Sequence, residues 1–163
     1  MKKKIIKDFF SSDKKFEDLK IGTKFGFERK INFDDIKKYA NLVKDKNPLH
    51  LKQKKSDRIK KRPIISHGMF VGSLTSTLLG TYCPIKNNIL LSLKLNFKKP
   101  VLPNYKIKLQ GRIVAKSDVL KILTIKISVY KMNVLLVDGE AKLHVQMHIY
   151  ETIKCMMHRM FAL

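Results

Sequence analysis

"SHGMFVGSLTSTLLG", residues 66–80, carries no charged side chain after His67 and ends in glycine. Its leucines, Phe70 and Val71 are interleaved with Gly, Ser and Thr instead of Lys or Glu, so no face of a helix built from it is strongly polar. A helix that is apolar or small all round is one buried all round. The small residues would also let other backbone approach closely. The stretch therefore predicts a central helix with the remaining chain folded about it.

The chain beyond this helix reads as strands. In "LSLKLNF" Leu91, Leu93, Leu95 and Phe97 alternate with Ser92, Lys94 and Asn96, the period of two of a half-buried strand. The period recurs at Tyr105, Ile107 and Leu109, at Leu123, Ile125, Ile127 and Val129, and at Ala141, Leu143, Val145 and Met147. Lys94, Lys106, Lys108, Lys126 and Lys142 fall on the outward set and keep that face wet. The connections "KKPVLPNY", "AKSD" and "YKMN" are short and turn-like, which predicts antiparallel pairing of sequence neighbours. The expected fold class is α+β, a long curved antiparallel sheet around one buried helix.

Toward the N-terminus, the first twenty residues are polar and Lys-rich and read as an irregular lead-in, with the domain placed from residue 16. Phe25, Phe27 and Ile31 mark a short strand. A helix comes next, capped by Asn32, with Asp34 and Asp35 at the positive end of its dipole and Ile36, Tyr39, Ala40 and Val43 on one face. Pro48 forbids its continuation, so "DKNPLH", residues 45–50, should be a turn at its exit. Residues 51–62 are basic and read as a solvated loop or short helix. The end of the chain, residues 149–163, reads as a tail that forms a short amphipathic helix or frays.

With 163 residues the chain fits one domain with a single core. It has 35 basic and 13 acidic residues, a formal net charge of +22, which on its face points to a polyanionic partner. The pattern argues against nucleic acid: Lys far outnumbers Arg, Trp is absent, and the lysines run from Lys2 to Lys154 without clustering. Cys83 and Cys155 have neither metal-type nor disulfide-framework spacing, as expected of a reduced cytoplasmic protein. Lys7 and Asp8 break the apolar stretch of "MKKKIIKDFF" before it could serve as an export signal. No segment approaches the roughly 18 apolar residues of a membrane span.

Two places carry chemistry. Gly68 stands at the first turn of the expected central helix, where free backbone amides and the dipole can hold a developing oxyanion. Equally, Ser66 can cap that helix while Gly68 and His67 merely pack. Asp45 and His50 can form a proton-transfer pair if they share one water or substrate proton at about 3 Å, or they can simply tie down a loop. Asn47 can brace the turn through its side-chain amide.

"DKNPLH", with "HGM" beginning seventeen residues after His50, then "SLTSTLLG", "LKLNFKKPV" and "VDGEA" in that order, resembles the (R)-specific enoyl-CoA hydratases of the MaoC-like dehydratase family. The resemblance runs from about Phe16 to Val145, within a domain taken as residues 16–148. It implies the hot dog fold, a homodimer or dimer of dimers with sites at the subunit interface, and an acyl-CoA substrate of fatty acid metabolism. It implies no cofactor beyond the CoA of that substrate, and no metal. By the resemblance Asp45 and His50 hold the catalytic water, Asn47 supports their turn, and the Gly68 amide donates to the thioester carbonyl, with Ser66 and His67 in support. Ser76 resembles a pocket-lining serine and Leu79 borders the acyl tunnel. Lys44 and Lys46 depart from the family pattern and are candidate contacts for the CoA phosphates.

Two other function classes compete with a hydratase. One is another hot dog activity on acyl thioesters, a thioesterase or an acyl-carrier-protein dehydratase. The latter relies on an acidic residue in the central helix, and none lies between Gly68 and Gly80. The other is a non-enzymatic module binding a polyanion, whose affinity would fall steeply with salt.

Overall fold

The computed structural model describes residues 14–51 and 63–145. A 3-10 turn, Phe16–Asp18, leads into β1 (Lys24–Lys30), α1 (Phe33–Val43), α2 (Gly68–Thr81), β2 (Asn88–Phe97), β3 (Lys106–Ser117), β4 (Ile122–Lys131) and β5 (Val134–Val145). All strand pairs are antiparallel in one five-stranded sheet, ordered β1-β3-β4-β5-β2. Helix α2 packs against β1, β2 and β3. The expected α+β arrangement of a sheet about one central helix is what the chain forms.

The hairpins β3–β4 and β4–β5 arise from short turns, each with a residue in the left-handed region, Lys121 (φ 51°) and Met132 (φ 52°). The link from β2 to β3 departs from the expected pairing of neighbours: β2 pairs with β5, and β3 with β1. Its eight residues, 98–105, reach up to about 27 Å extended, whereas three strand spacings amount to about 14 Å. The link crosses instead of turning, held by the amides of Lys98 and Lys99 on the Leu136 carbonyl and by exchange between Ile31 and the Asn104–Tyr105 segment. That crossing delivers Val101, whose carbonyl accepts from the Ser66 amide, to the start of α2.

The core is the face the alternation marked. Ile107, Leu109, Ile113, Leu123, Ile125, Ile127, Val129, Ala141 and Leu143 are fully buried under Phe70, Val71, Leu74, Leu78 and Leu79 of α2. Cys83 joins this core, and burial pushes its thiol up to about 11. The five outward lysines are exposed. One lateral row of that face reads Lys24, Arg112, Lys126, Glu140, Lys94 across the five strands.

Four readings need correction. Helix α2 is not buried all round: Met69, Ser73, Ser76, Thr77 and Gly80 are exposed, because one sheet can cover only one side of a helix. The lead-in enters the domain's core at Phe16 and Leu19, anchored by Lys116 on the Glu17 carbonyl and by Lys121 on its carboxylate. The Lys121 bond holds that carboxyl below its usual range. In α1 Ile36 and Ala40 are buried while Val43 is exposed, and the helix ends at Lys44 (φ 57°), four residues before Pro48. Leu91 and Phe97 are exposed, since β2 is an edge strand and Leu91 sits in a bulge between Leu90 and Ser92. The 51–62 segment beyond Leu51, Met147 and the 149–163 tail lie outside the described residues.

The β2–β5 pairing leaves no room at Gly139. A Cβ there would fall inside contact distance of the Lys94 carbonyl oxygen and the Leu95 side chain, a backbone clash that rotamer changes cannot relieve. Gly139→Ala should therefore cost about 1–3 kcal/mol, read as a lower denaturant midpoint at unchanged m-value.

Candidate active site

The Asp45–His50 turn is built by its own side chains. The Asp45 Oδ1 accepts from the Asn47 amide at 2.9 Å, and the Asn47 Oδ1 accepts from the Leu49 amide at 3.1 Å, two successive Asx turns of the kind short polar residues favour. The His50 amide then donates to the Asn47 carbonyl. With Oδ1 engaged, Oδ2 of Asp45 is left facing two imidazoles, 3.9 Å from His50 Nε2 and 3.7 Å from His67 Nε2.

His50 is held from behind. Its Nδ1 lies 2.9 Å from the Ile65 carbonyl, which can only accept, so Nδ1 carries the proton and Nε2 presents a lone pair in the neutral ring. The Ile65 amide in turn donates to the Leu49 carbonyl, which locks the turn to the strand-like segment entering α2. His67 occupies the N-cap of α2, stacked on His50 with centroids 3.8 Å apart and tilted against Tyr39 at 5.2 Å. It is 3% exposed, and neither ring nitrogen has a hydrogen-bond partner among the described residues. Burial, with His50 beside it, holds its imidazole below the usual range against the pull of Asp45. Ser66 does not cap the helix: its hydroxyl lies toward the His67 carbonyl at 3.4 Å.

A cavity of 360 Å³ opens beside this cluster, lined by His50, Ile65, Ser66, Gly68, Val71, Phe97, Lys98, Lys99, Pro100, Val101 and Val137. Gly68 thus shares a wall with His50 at the N-terminus of a 14-residue helix, and Phe97 is the closest group across from it. The pocket's lining thus holds a lone-pair imidazole and a helix N-terminus, and the Asp45 carboxylate stands outside that lining, 3.9 Å from the imidazole; these are the parts of a proton-transfer site with an anion-stabilising wall.

A MaoC-like domain model matches residues 16–132, most of the described chain. The chain belongs to the MaoC-like domain family. This MaoC-like chain is 32% identical over 127 residues to the (R)-specific enoyl-CoA hydratase of Aeromonas caviae, covering 77% of this chain and 94% of that one. It is 34% identical over 86 residues to the 3-hydroxybutyryl-CoA dehydratase of Methylorubrum extorquens, covering 53% of this chain and 55% of that relative. The alignment with the latter thus spans about half of that protein's length. The solved (R)-hydratase from A. caviae superposes with a TM-score of 0.73 at 29% identity, over 80% of this chain and 99% of that one, so the sheet and central helix form the hot dog fold.

Within this MaoC-like domain the structure gathers Asp45, Asn47, His50, Ser66, His67 and Gly68. It does not bring Ser76 or Leu79 to the cavity. Ser76 is exposed on α2, about 12 Å along the axis from Gly68 at 1.5 Å per residue, and Leu79 is part of the core. Lys44 and Lys46 are exposed beside the turn and do not line the cavity. The cavity's lysines are Lys98 and Lys99, in a segment whose sequence signals only a turn. The signal that could have flagged them is Pro100 and Pro103 closing a connection too long for a hairpin. Among the described residues no helix is long and apolar enough to cross a membrane.

Proposed function

We propose that the protein is an (R)-specific enoyl-CoA hydratase, adding water reversibly to trans-2-enoyl-CoA with no cofactor beyond the CoA of the substrate. The observation that carries this reading is the 3.9 Å gap between Asp45 Oδ2 and Nε2 of His50, the residue that shares the cavity's lining with Gly68. Both atoms are acceptors when Asp45 is ionised and His50 neutral. A water bridging them at about 2.8 Å each donates both hydrogens and directs its oxygen lone pairs away from the pair, at C3 of the substrate.

Attack at C3 moves charge onto the thioester oxygen, where the Gly68 N–H and the dipole of α2 stabilise it. The proton taken from the water is returned to C2 by the same pair. Hydroxyl and proton therefore add to one face. Running the reaction in D2O tests this: the deuterium at C2 should be syn to the C3 hydroxyl, and an anti product would exclude delivery by one pair.

Lys98 and Lys99 serve the CoA phosphates. Lys98 is partly neutralised by Asp138 at 3.7 Å, which leaves Lys99 the freer cation. Lys99→Gln should raise KM for crotonyl-CoA about three- to tenfold with kcat little changed, the mark of lost uniform binding. An unchanged KM would move the phosphate site elsewhere.

The working unit is a homodimer. In support, β2 has one unpaired edge, exposing Ile89, Leu90, Leu91 and Phe97, and the neighbouring face of α2 exposes Met69 among small residues. Exposed edges and contiguous apolar surface mark association sites. Analytical ultracentrifugation should give twice the chain mass, and Leu91→Lys should shift it toward the monomer.

A further inference from the structure

His67 has no part in the chemistry above, yet it is buried with neither ring nitrogen partnered among the described residues. A buried polar group without a partner loses its hydration uncompensated, and such groups in a folded protein call for an explanation. Its Nε2 lies 3.7 Å from the same Asp45 oxygen that stands 3.9 Å from His50 Nε2. Ligand atoms of the three residues all lie within 4.8 Å of one another, and among the described residues this is the one His/Cys/Asp/Glu group with that reach. The sequence hides it, because seventeen residues separate the two imidazoles.

We propose that Asp45, His50 and His67 form a binding site for a divalent transition cation of the Zn2+, Co2+ or Ni2+ class, whose occupancy excludes the substrate water. Two imidazoles and a carboxylate suit borderline cations. They offer too few oxygens for Ca2+ or Mg2+. Donors about 2.1 Å from a tetrahedral metal stand roughly 3.4 Å apart, so the two gaps from Asp45 Oδ2, 3.9 and 3.7 Å, need to close by only a few tenths of an ångström, and all three donors already lie within 4.8 Å of one another.

Supporting contacts of the kind metal sites use are in place. His50 is fixed by its Nδ1 contact to the Ile65 carbonyl, and Asp45 is fixed through Oδ1 by the Asn47 amide, so each offers its remaining atom to the shared space. The His67 ring, tilted 30° from that of His50, breaks no hydrogen bond when it turns to aim Nε2 inward. Entry is from the Asp45 side, where that side chain is 42% exposed. On the hydratase reading, a cation here takes both acceptors a water needs. It is therefore an inhibitor, and only this consequence rests on that reading.

The test uses the full chain freed of metal by a chelator and then titrated with Co2+. Expected is a visible absorption band that saturates at one Co2+ per chain and is displaced by Zn2+. His67→Gln and Asp45→Asn should each weaken Co2+ binding at least about tenfold, with folding verified by circular dichroism. His144→Gln, away from the site, should bind as the wild type does. Zn2+ should then inhibit crotonyl-CoA hydration by lowering kcat, reversed by chelator. Absence of a saturable band, or a band unchanged in His67→Gln and Asp45→Asn, would overturn the site. Zn2+ that binds the trio without inhibiting would overturn the exclusion of water. Failure of the hydratase reading shows separately, as no turnover in chelator.

Discussion

Asp45→Asn lowers kcat for hydration of crotonyl-CoA by about 10²–10⁴-fold, the range general acid–base groups contribute, with KM within about threefold. Asn keeps the shape of Asp and retains an oxygen for the Asn47 amide, now at 2.9 Å from Oδ1, so the turn survives. The change removes a group that can accept and return a proton. A thermal midpoint within a few degrees of wild type, measured by circular dichroism, keeps the kinetic loss from being a folding defect. A kcat reduced less than about tenfold would remove Asp45 from the chemistry.

Leu78→Ala destabilises the fold by about 2–5 kcal/mol, the cost of a large-to-small change with its cavity. Leu78 is fully buried near the C-terminal end of α2, in the cluster with Ile107, Ile113, Ile125 and Leu143. A domain of this size has about 5–15 kcal/mol in total, so this one change removes a large share of it. Urea unfolding of wild type and variant gives the difference, and a loss below about 1 kcal/mol would mean that α2 is not the centre of the core.

Where one physical rule acted alone, the sequence was readable. The residues that period-two alternation marked within β3, β4 and β5 are buried, because each of these strands has a neighbour on both sides and α2 over one face. It failed at Leu91 and Phe97, since at a sheet edge alternation does not separate a face on the core from one awaiting a partner. The uncharged run 66–80 identified the central helix but not its exposed stripe, for the same reason: small and apolar residues suit an interface between chains as well as a core.

The site was legible where its parts are local. Asp45, Asn47 and His50 lie within six residues, and the polar side chains that shape their turn are those that make the chemistry. The approach of His67 to Asp45 rests on the Ile65 amide meeting the Leu49 carbonyl, a tertiary contact that composition does not encode. Lys98 and Lys99 reach the cavity because β2 pairs with β5 instead of β3, a strand order that period-two alternation does not encode.

The central claim is that the Asp45–His50 pair hydrates an enoyl thioester beside Gly68. Its most direct test tracks the ultraviolet absorbance of the crotonyl-CoA double bond in chelator-treated buffer, with the product assayed by dehydrogenases specific for each 3-hydroxyacyl configuration. Enzyme-dependent loss of absorbance with the (R) product alone is the predicted result. No turnover on crotonyl-CoA or on longer enoyl chains, or an (S) product, would contradict it.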